Sequence, residues 1–170
     1  RDACDKSLED LSSEIDRVRR LLSDAQTTRF VPVMIPEPMS IFETERLMDA
    51  LEECGVPVKE IIVNHVAVSE GCVFCRARKG DQIGYVKDIE RRFASYGRIR
   101  VPEFPHEIRG RSGLRTVAET LAGMDVPLQL QKRGQVLQAP AGCLALDPGL
   151  EFVLIGGKGG VGKTTLASAT

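Results

Sequence analysis

The sequence predicts an α/β fold with a mostly parallel sheet and helices on its faces. Short apolar segments of the kind found in buried strands alternate with segments whose apolar residues recur every three or four positions. The strand-like segments are too far apart for tight hairpins, and helical segments lie between them, as parallel strands require. A last apolar segment, residues 151–154, leads directly into a glycine-rich turn.

Eight elements are expected before the glycine-rich turn. They are helix 5–23, strand 30–35, helix 40–54, strand 58–63, helix 79–95, strand 98–101, helix 113–121 and strand 151–154. Ser7 and Ser40, each with an acidic residue three positions later, predict capping boxes at the first two helix starts. The first helix has the clearest apolar face, made of Leu8, Leu11, Ile15, Val18 and Leu22.

Composition limits the kinds of partner and compartment. The 170 residues include 23 basic and 24 acidic side chains, so charge gives no indication of a nucleic-acid partner. No apolar run has the length of a membrane span. Five cysteines in a chain without an export signal favour a reducing compartment, and we expect a cytoplasmic protein, peripheral to a membrane only through a partner.

The turn at 157–164 fits G-x-x-x-x-G-K-[ST], the P-loop that binds nucleotide phosphates. Glycines let the backbone approach a polyphosphate and point its N–H groups at the anion. Lys163 is expected to reach the β- and γ-phosphates of ATP, and Thr164 to ligate Mg²⁺. The predicted nucleotide-binding residues here are Gly157, Gly159, Gly160, Val161, Gly162, Lys163, Thr164 and Thr165. The alternative is a glycine-rich turn that binds no nucleotide.

The chain begins at Arg1 and stops soon after the P-loop. The pattern of strands and helices fades between residues 122 and 149, where prolines and glycines accumulate. We therefore expect a partial P-loop NTPase, incomplete at both ends. Residues 1–121 would end one α/β unit, 122–149 would be a linker, and 150–170 would begin a second unit.

Lys158 stands one residue after the first glycine of the P-loop. The form G-K-G-G-x-G-K-T-T resembles the deviant Walker A motif of dimeric ATPases. That resemblance implies that Lys158 reaches a partner's nucleotide and acts with Lys163 in catalysis. The alternative is a solvated loop lysine.

Five short strings resemble the C-terminal portion of the arsenical-pump ATPases and of the related ATPases that target tail-anchored membrane proteins. They are I-P-E at 35–37, E-T-E-R-L at 43–47, V-N at 63–64, C-V-F-C-R-A-R at 72–78 and E-I-R-G at 107–110. Several members carry two ATPase halves in one polypeptide. The resemblance implies that residues 1–121 end a first half and that 150–170 begin a second.

By the same resemblance, Asn64 would hydrogen-bond adenine, and the loop from Pro102, with Phe104, would pack beside the base. These segments would serve the first half's own nucleotide, separate from the one that Lys163 holds. Asn64 as a turn or capping residue is the alternative. His65 and His106 are expected to be neighbours of this region without a catalytic role.

Cys72 and Cys75 form a C-x-x-C pair, which in the targeting ATPases joins a second pair across subunits to hold zinc. Two thiolates supply half of a tetrahedral site, so zinc would require another copy. Structural cysteines and a redox pair are the alternatives. Cys4, Cys54 and Cys143 are expected to be structural.

The resemblance implies an ATPase whose ATP and Mg²⁺ cycle drives either arsenite or anion efflux or delivery of tail-anchored proteins. Its partners would be a second ATPase half or subunit, together with a membrane efflux protein or a tail-anchored client. The fragment alone is expected to be inactive. Two other readings stay open: a partition or septum-positioning ATPase, and a non-catalytic nucleotide-binding scaffold.

Overall fold

The computed structural model describes residues 3–67, 73–104, 107–123, 144, 146, 148–157 and 159–169. Its elements are α1 (Ala3–Ser23), β1 (Thr28–Met34), α2 (Pro38–Glu53), β2 (Glu60–Val66), α3 (Val73–Arg92), β3 (Gly97–Pro102), α4 (Gly110–Leu121), β4 (Phe152–Gly156) and α5 (Lys163–Ala167). The order and type of these elements confirm the predicted α/β alternation.

The four strands form one parallel sheet in the order β3-β2-β1-β4. β4 pairs with β1 over five positions, from Thr28 opposite Phe152 to Pro32 opposite Gly156. The strand before the P-loop therefore lies in the same sheet as the strands of the preceding segment, whereas the sequence suggested a separate unit. The division of the chain into parts of two ATPase halves stays a prediction. Most of the predicted linker at 122–149 lies outside the described residues.

Helices cover both faces of the sheet. On one face, Val31, Ile62 and Ile99 pack with Val117 of α4 and Leu166 of α5. On the other face, a second cluster joins the sheet to α2 and α3 and contains Met34, Ile41, Met48, Ile61, Val63, Ile89 and Phe93. Because side chains alternate between faces along a strand, neighbouring apolar residues enter opposite clusters. All-parallel sheets require this cover on both sides.

An ionic network fastens α2 to α3 outside the second cluster. Arg92 donates to both carboxylate oxygens of Glu45 at 2.8 Å, and it also pairs with Asp88 at 2.7 Å. Hydrogen bonds from Arg91 and then Arg92 lower the pKa of Asp88 below its usual value. The Arg92 guanidinium also lies 5.4 Å from the centre of the Phe42 ring.

Pro32 is tolerated inside β1 because the β1–β2 pairing is interrupted around it. Phe30 bridges to Val58, and the regular ladder resumes only at Val33 opposite Ile62. The missing N–H of Pro32 thus falls where no ladder bond to β2 is made.

Both predicted capping boxes are wrong. α1 already includes Ser7, because it begins at Ala3. α2 begins at Pro38, and the Ser40 hydroxyl instead accepts a hydrogen bond from the Ile35 backbone N–H at 3.1 Å. The backbone N–H groups of the first helical turn have no partner within the helix, so the missing N–H of Pro38 costs nothing there. The helix therefore begins at Pro38, two residues before Ser40.

The apolar face predicted for α1 is not buried. Leu8, Leu11, Ile15 and Val18 are 61%, 57%, 51% and 53% exposed. The C-terminal end of α1 is attached to the sheet, since the Thr28 hydroxyl donates to the Leu21 carbonyl at 2.8 Å. Among the residues that the structure describes, none of the helices has the length and apolar character that crossing a bilayer requires.

Candidate functional site

The predicted site residues meet at the carboxyl ends of the strands. Asn64 lies two residues before the end of β2, Pro102 ends β3, and the P-loop follows β4. The chain proceeds outward from β1 to β3 and then returns to the other side of β1 with β4. In open α/β sheets, ligands bind outside the carboxyl ends at such a reversal of strand order.

The glycine-rich segment forms a turn between β4 and α5. Gly160 and Gly162 have φ angles of 79° and 87°, and Gly157 has φ of 151°. Gly157 must be glycine because a β-carbon there would overlap the Val33 carbonyl oxygen of β1. Lys163 is the first residue of α5, and Thr164 is exposed. This is the strand–turn–helix context that a P-loop requires.

Asn64 contacts the P-loop directly. Its side-chain amide nitrogen donates a 2.7 Å hydrogen bond to the Val161 carbonyl, and both residues are buried. A β-carbon on Gly162 would overlap the same amide nitrogen. The family resemblance implies that Asn64 and the P-loop serve two separate nucleotides; in the structure the two lie against each other.

Gln82 holds the strand end that carries Asn64, although no sequence motif pointed to this residue. His65 adopts a left-handed conformation with φ of 57°, beside an irregularity in the β2–β3 register between Val63 and Val66. The Gln82 side chain donates to the His65 carbonyl at 3.2 Å and accepts from the Ala67 N–H at 2.7 Å. Gln82 is 8% exposed. A lone glutamine in a helix gives no signal in a sequence, because only the fold reveals which backbone groups it meets.

A cavity of about 410 Å³ lies between the P-loop and the ends of β2 and β3. Asn64, Pro102 and Phe104 line it on the sheet side, and Gly162 and Thr165 line it on the P-loop side. Its apolar wall is completed by Val101, Ile108, Val117 and Leu166. The volume falls in the usual range of small-molecule sites.

The rim of this cavity is tied to α3. Arg78 pairs with Glu103 at 2.9 Å, with the two side chains 38% and 35% exposed. The Glu103 N–H also donates to the Val66 carbonyl at 3.0 Å. Arg78 is the last residue of the string at 72–78, so that end of the string lies near the cavity.

Several predicted residues fall outside the described part of the chain: Lys158, Cys72, His106 and Cys143. Cys75 is partly buried, and Cys4 and Cys54 are exposed. Among the described residues, no three His, Cys, Asp or Glu side chains are grouped as a metal site would need. Zinc at the C-x-x-C pair stays a prediction.

Comparison with known proteins gives a match over more than half of this chain. Residues 2–123 match the model of the anion-transporting ATPase family. The chain belongs to that family. The match confirms the resemblance found in the short sequence strings, and it ends before the P-loop, whose assignment depends on its own motif and geometry.

Curated relatives give the family position more detail. The chain is 32% identical over 127 residues to ATPase get3 of Neurospora crassa, which covers 73% of this chain and 38% of that protein. It is 32% identical over 125 residues to ATPase GET3 of Chaetomium globosum, covering 72% and 37%. ATPase get3 of Schizosaccharomyces pombe is 30% identical over 116 residues, covering 67% and 35%. The chain thus spans less than two fifths of the length of these relatives.

Proposed function

We propose that this chain binds ATP with Mg²⁺ in the cavity between the P-loop and the ends of β2 and β3, as part of an ATPase. The contact between Asn64 and the Val161 carbonyl carries the proposal, because it joins the predicted base-binding strand end to the predicted phosphate-binding turn. One nucleotide would therefore be held by both segments.

At the phosphate end, Gly160 and Gly162 have left-handed φ angles, and a β-carbon on Gly157 or Gly162 would clash with its neighbours. Glycine-rich turns of this kind let successive amides face an anion. Lys163 and Thr164 follow at the positions that a P-loop uses for the phosphates and for the metal. Bound Mg²⁺ would neutralise charge on the phosphates. The chain's own contribution is to hold the triphosphate in place and to exclude water from one side of it.

At the end of the cavity where the base would lie, the side-chain amide of Asn64 stands beside apolar walls. Asn64 uses its nitrogen on the P-loop, so its carbonyl oxygen is the group that would accept from the adenine amino group. Phe104 and Pro102 give flat apolar surfaces for the ring. The donor set, size and shape thus suit a purine nucleotide.

Hydrolysis would be coupled to association of two ATPase halves or subunits, with Lys158 reaching the opposite nucleotide. The family description, anion transport, supports efflux of arsenite or another anion as the coupled process. The curated relatives are named ATPase GET3, a name that does not mention anion transport. Delivery of tail-anchored proteins, which the sequence resemblance also implies, is the second proposal. Arsenite-stimulated hydrolysis by the full-length protein would favour efflux, and capture of a tail-anchored peptide would favour delivery.

Zinc at Cys72 and Cys75 would complete a four-thiolate site with a second copy. Metal analysis of the full-length protein and of a Cys72→Ser variant tests this directly. Equal zinc content in the two proteins would eliminate the site.

Nucleotide binding is tested by titrating the chain with a fluorescent ATP analogue in the presence of Mg²⁺. Lys163→Ala should abolish binding, and Lys87→Ala, an exposed lysine of α3, should leave it unchanged. Phe104→Ala should weaken ATP binding but leave binding of inorganic tripolyphosphate as it was. If tripolyphosphate and ATP lose affinity equally in the Phe104 variant, the base does not occupy the cavity.

A further inference from the structure

Strand β2 carries one extra residue where it pairs with the end of β3. Val63 lies opposite Arg100, and the next pair is Val66 opposite Pro102, so three steps along β2 match two steps along β3. An extra residue of this kind is a β-bulge, which turns the side chains beside it away from their regular directions. The bulge falls at residues 64–65, at the edge of the proposed nucleotide cavity.

The bulge changes the side of the sheet on which these residues lie. In a regular strand side chains alternate between faces, so Val63 and Val66, three positions apart, would lie on opposite faces. Both instead pack in the cluster that joins the sheet to α2 and α3. Asn64 and His65, between them, both line the nucleotide cavity on the other side. A regular strand would bring only one of these two consecutive residues to the cavity.

His65 is held in a conformation that favours glycine. Its φ of 57° is left-handed, and among the residues that the structure describes no other residue except glycine has a positive φ. The buried Gln82 side chain maintains this conformation by donating to the His65 carbonyl and accepting from the Ala67 N–H. Glycine would adopt the same conformation without the steric cost of a β-carbon, so an imidazole at this position indicates a role for the side chain.

The two side chains suit one edge of an adenine ring. Asn64 uses its amide nitrogen on the Val161 carbonyl, so its oxygen is the group that would accept from the 6-amino group. An imidazole carries at least one N–H in either protonation state, so His65 can donate to a ring nitrogen beside that amino group. On the edge with N7, adenine offers a donor and an acceptor, whereas guanine offers two acceptors. The Asn64 oxygen would face an oxygen of guanine, so the pair selects adenine.

We propose that His65 is a specificity-determining residue, which donates a hydrogen bond to a ring nitrogen of adenine beside the amino group that Asn64 binds. The proposal rests on the proposed function, because it requires ATP in the cavity, and it adds a second contact to the base from the same strand. The bulge and its support by Gln82 are then the features that bring two consecutive residues to one ligand.

The side chain and the backbone conformation are separated by two variants, His65→Phe and His65→Gly. Phenylalanine keeps a ring and the steric cost but removes the N–H, whereas glycine removes both the ring and the cost. Each variant should bind ATP about fivefold more weakly, the value of one hydrogen bond, and should bind tripolyphosphate as before. Urea unfolding checks that both are folded, with His65→Gly the more stable of the two. If His65→Gly binds ATP like the unmodified chain, the imidazole does not contact the base and the proposal is wrong.

Nucleotide analogues test the same hydrogen bond on the unmodified chain. ATP analogues in which carbon replaces N1 or N7 each lack one of the ring nitrogens beside the amino group. One of them should bind about fivefold more weakly than ATP, and His65→Phe should weaken its binding no further. If both analogues bind like ATP, His65 donates to neither nitrogen, which overturns the proposal.

Phe104→Ala distinguishes failure of this proposal from failure of the proposed function. If Phe104→Ala weakens ATP binding and the His65 variants do not, the base lies in the cavity and only the role of His65 is wrong. If none of these variants changes ATP affinity, the base lies elsewhere, and the nucleotide site proposed for the cavity is wrong as well.

Discussion

Replacing Gly162 with alanine tests whether the P-loop is seated on the end of β2. Gly162 has φ of 87° and ψ of 21°, a left-handed conformation that costs an L-residue roughly 1–2 kcal/mol. The new methyl would also overlap the Asn64 amide nitrogen, which then loses its hydrogen bond to the Val161 carbonyl. That bond contributes about 1 kcal/mol. The total is about 2–3 kcal/mol, which corresponds to a loss of roughly a hundredfold in nucleotide affinity.

The assay is a nucleotide titration, with urea denaturation followed by circular dichroism as the measure of stability. Gly84→Ala in α3 is the matched control, because a β-carbon there meets open space and alanine favours a helix by up to about 1 kcal/mol. We expect Gly84→Ala to bind nucleotide normally and to unfold at slightly higher urea. If Gly162→Ala binds and unfolds like the unmodified chain, the described contact between the P-loop and Asn64 is wrong.

Four further substitutions probe the support of the site and of the sheet. Gln82→Leu removes both hydrogen bonds to the strand end at His65, so ATP affinity should fall severalfold while tripolyphosphate affinity, measured by competition, stays the same. Glu60→Ala removes the ion pair that Glu60 makes with the buried Arg29 at 3.8 Å and should cost about 1–3 kcal/mol of unfolding free energy, whereas Arg29→Met should cost less. Asp88→Asn should lower the melting temperature at neutral pH. Because the pKa of Asp88 is depressed in the folded chain, that difference should shrink as the pH falls below 3.8.

The type and order of the elements followed from the sequence because hydrophobic periodicity is local. Strand β2 and helix α4 are recognisable from a few consecutive residues. Helix starts were less well predicted, since proline at Pro38 competes with serine at Ser40 for the first turn, and only geometry decides which begins the helix. The apolar side of α1 had the expected period, but periodicity does not say what covers a helix.

The position of β4 could not be predicted from local pattern. A fading pattern after residue 121 suggested a new unit, yet β1 offers β4 a free side on which five residue pairs form. The same limitation hid Gln82, whose role depends on backbone groups 15 and 17 residues away. The motif at 157–164 was recognisable alone, whereas its contact with Asn64, 97 positions away, required the fold.

The pairing of β4 with β1 has a consequence that truncation can measure. Without residues 150–170, β1 becomes an open edge of the sheet, and open edges of parallel sheets pair with other chains. The sheet face would also lose Val161 and Leu166, which are 0% and 1% exposed. At about 1.5–3 kcal/mol for each buried side chain, the loss is roughly 3–6 kcal/mol, comparable with the whole stability of many domains.

The truncated chain should therefore unfold at lower urea or aggregate, and a synthetic peptide of residues 150–170 should partly restore its stability. The peptide test also distinguishes β4 of the same chain from β4 exchanged between copies. Exchange would make the stability of the intact chain depend on its concentration, whereas pairing within one chain would not. If the truncated chain is as stable as the intact one, the pairing of β4 with β1 contributes nothing to the free energy of unfolding. The contact between the P-loop and Asn64, which depends on that pairing, would then be wrong.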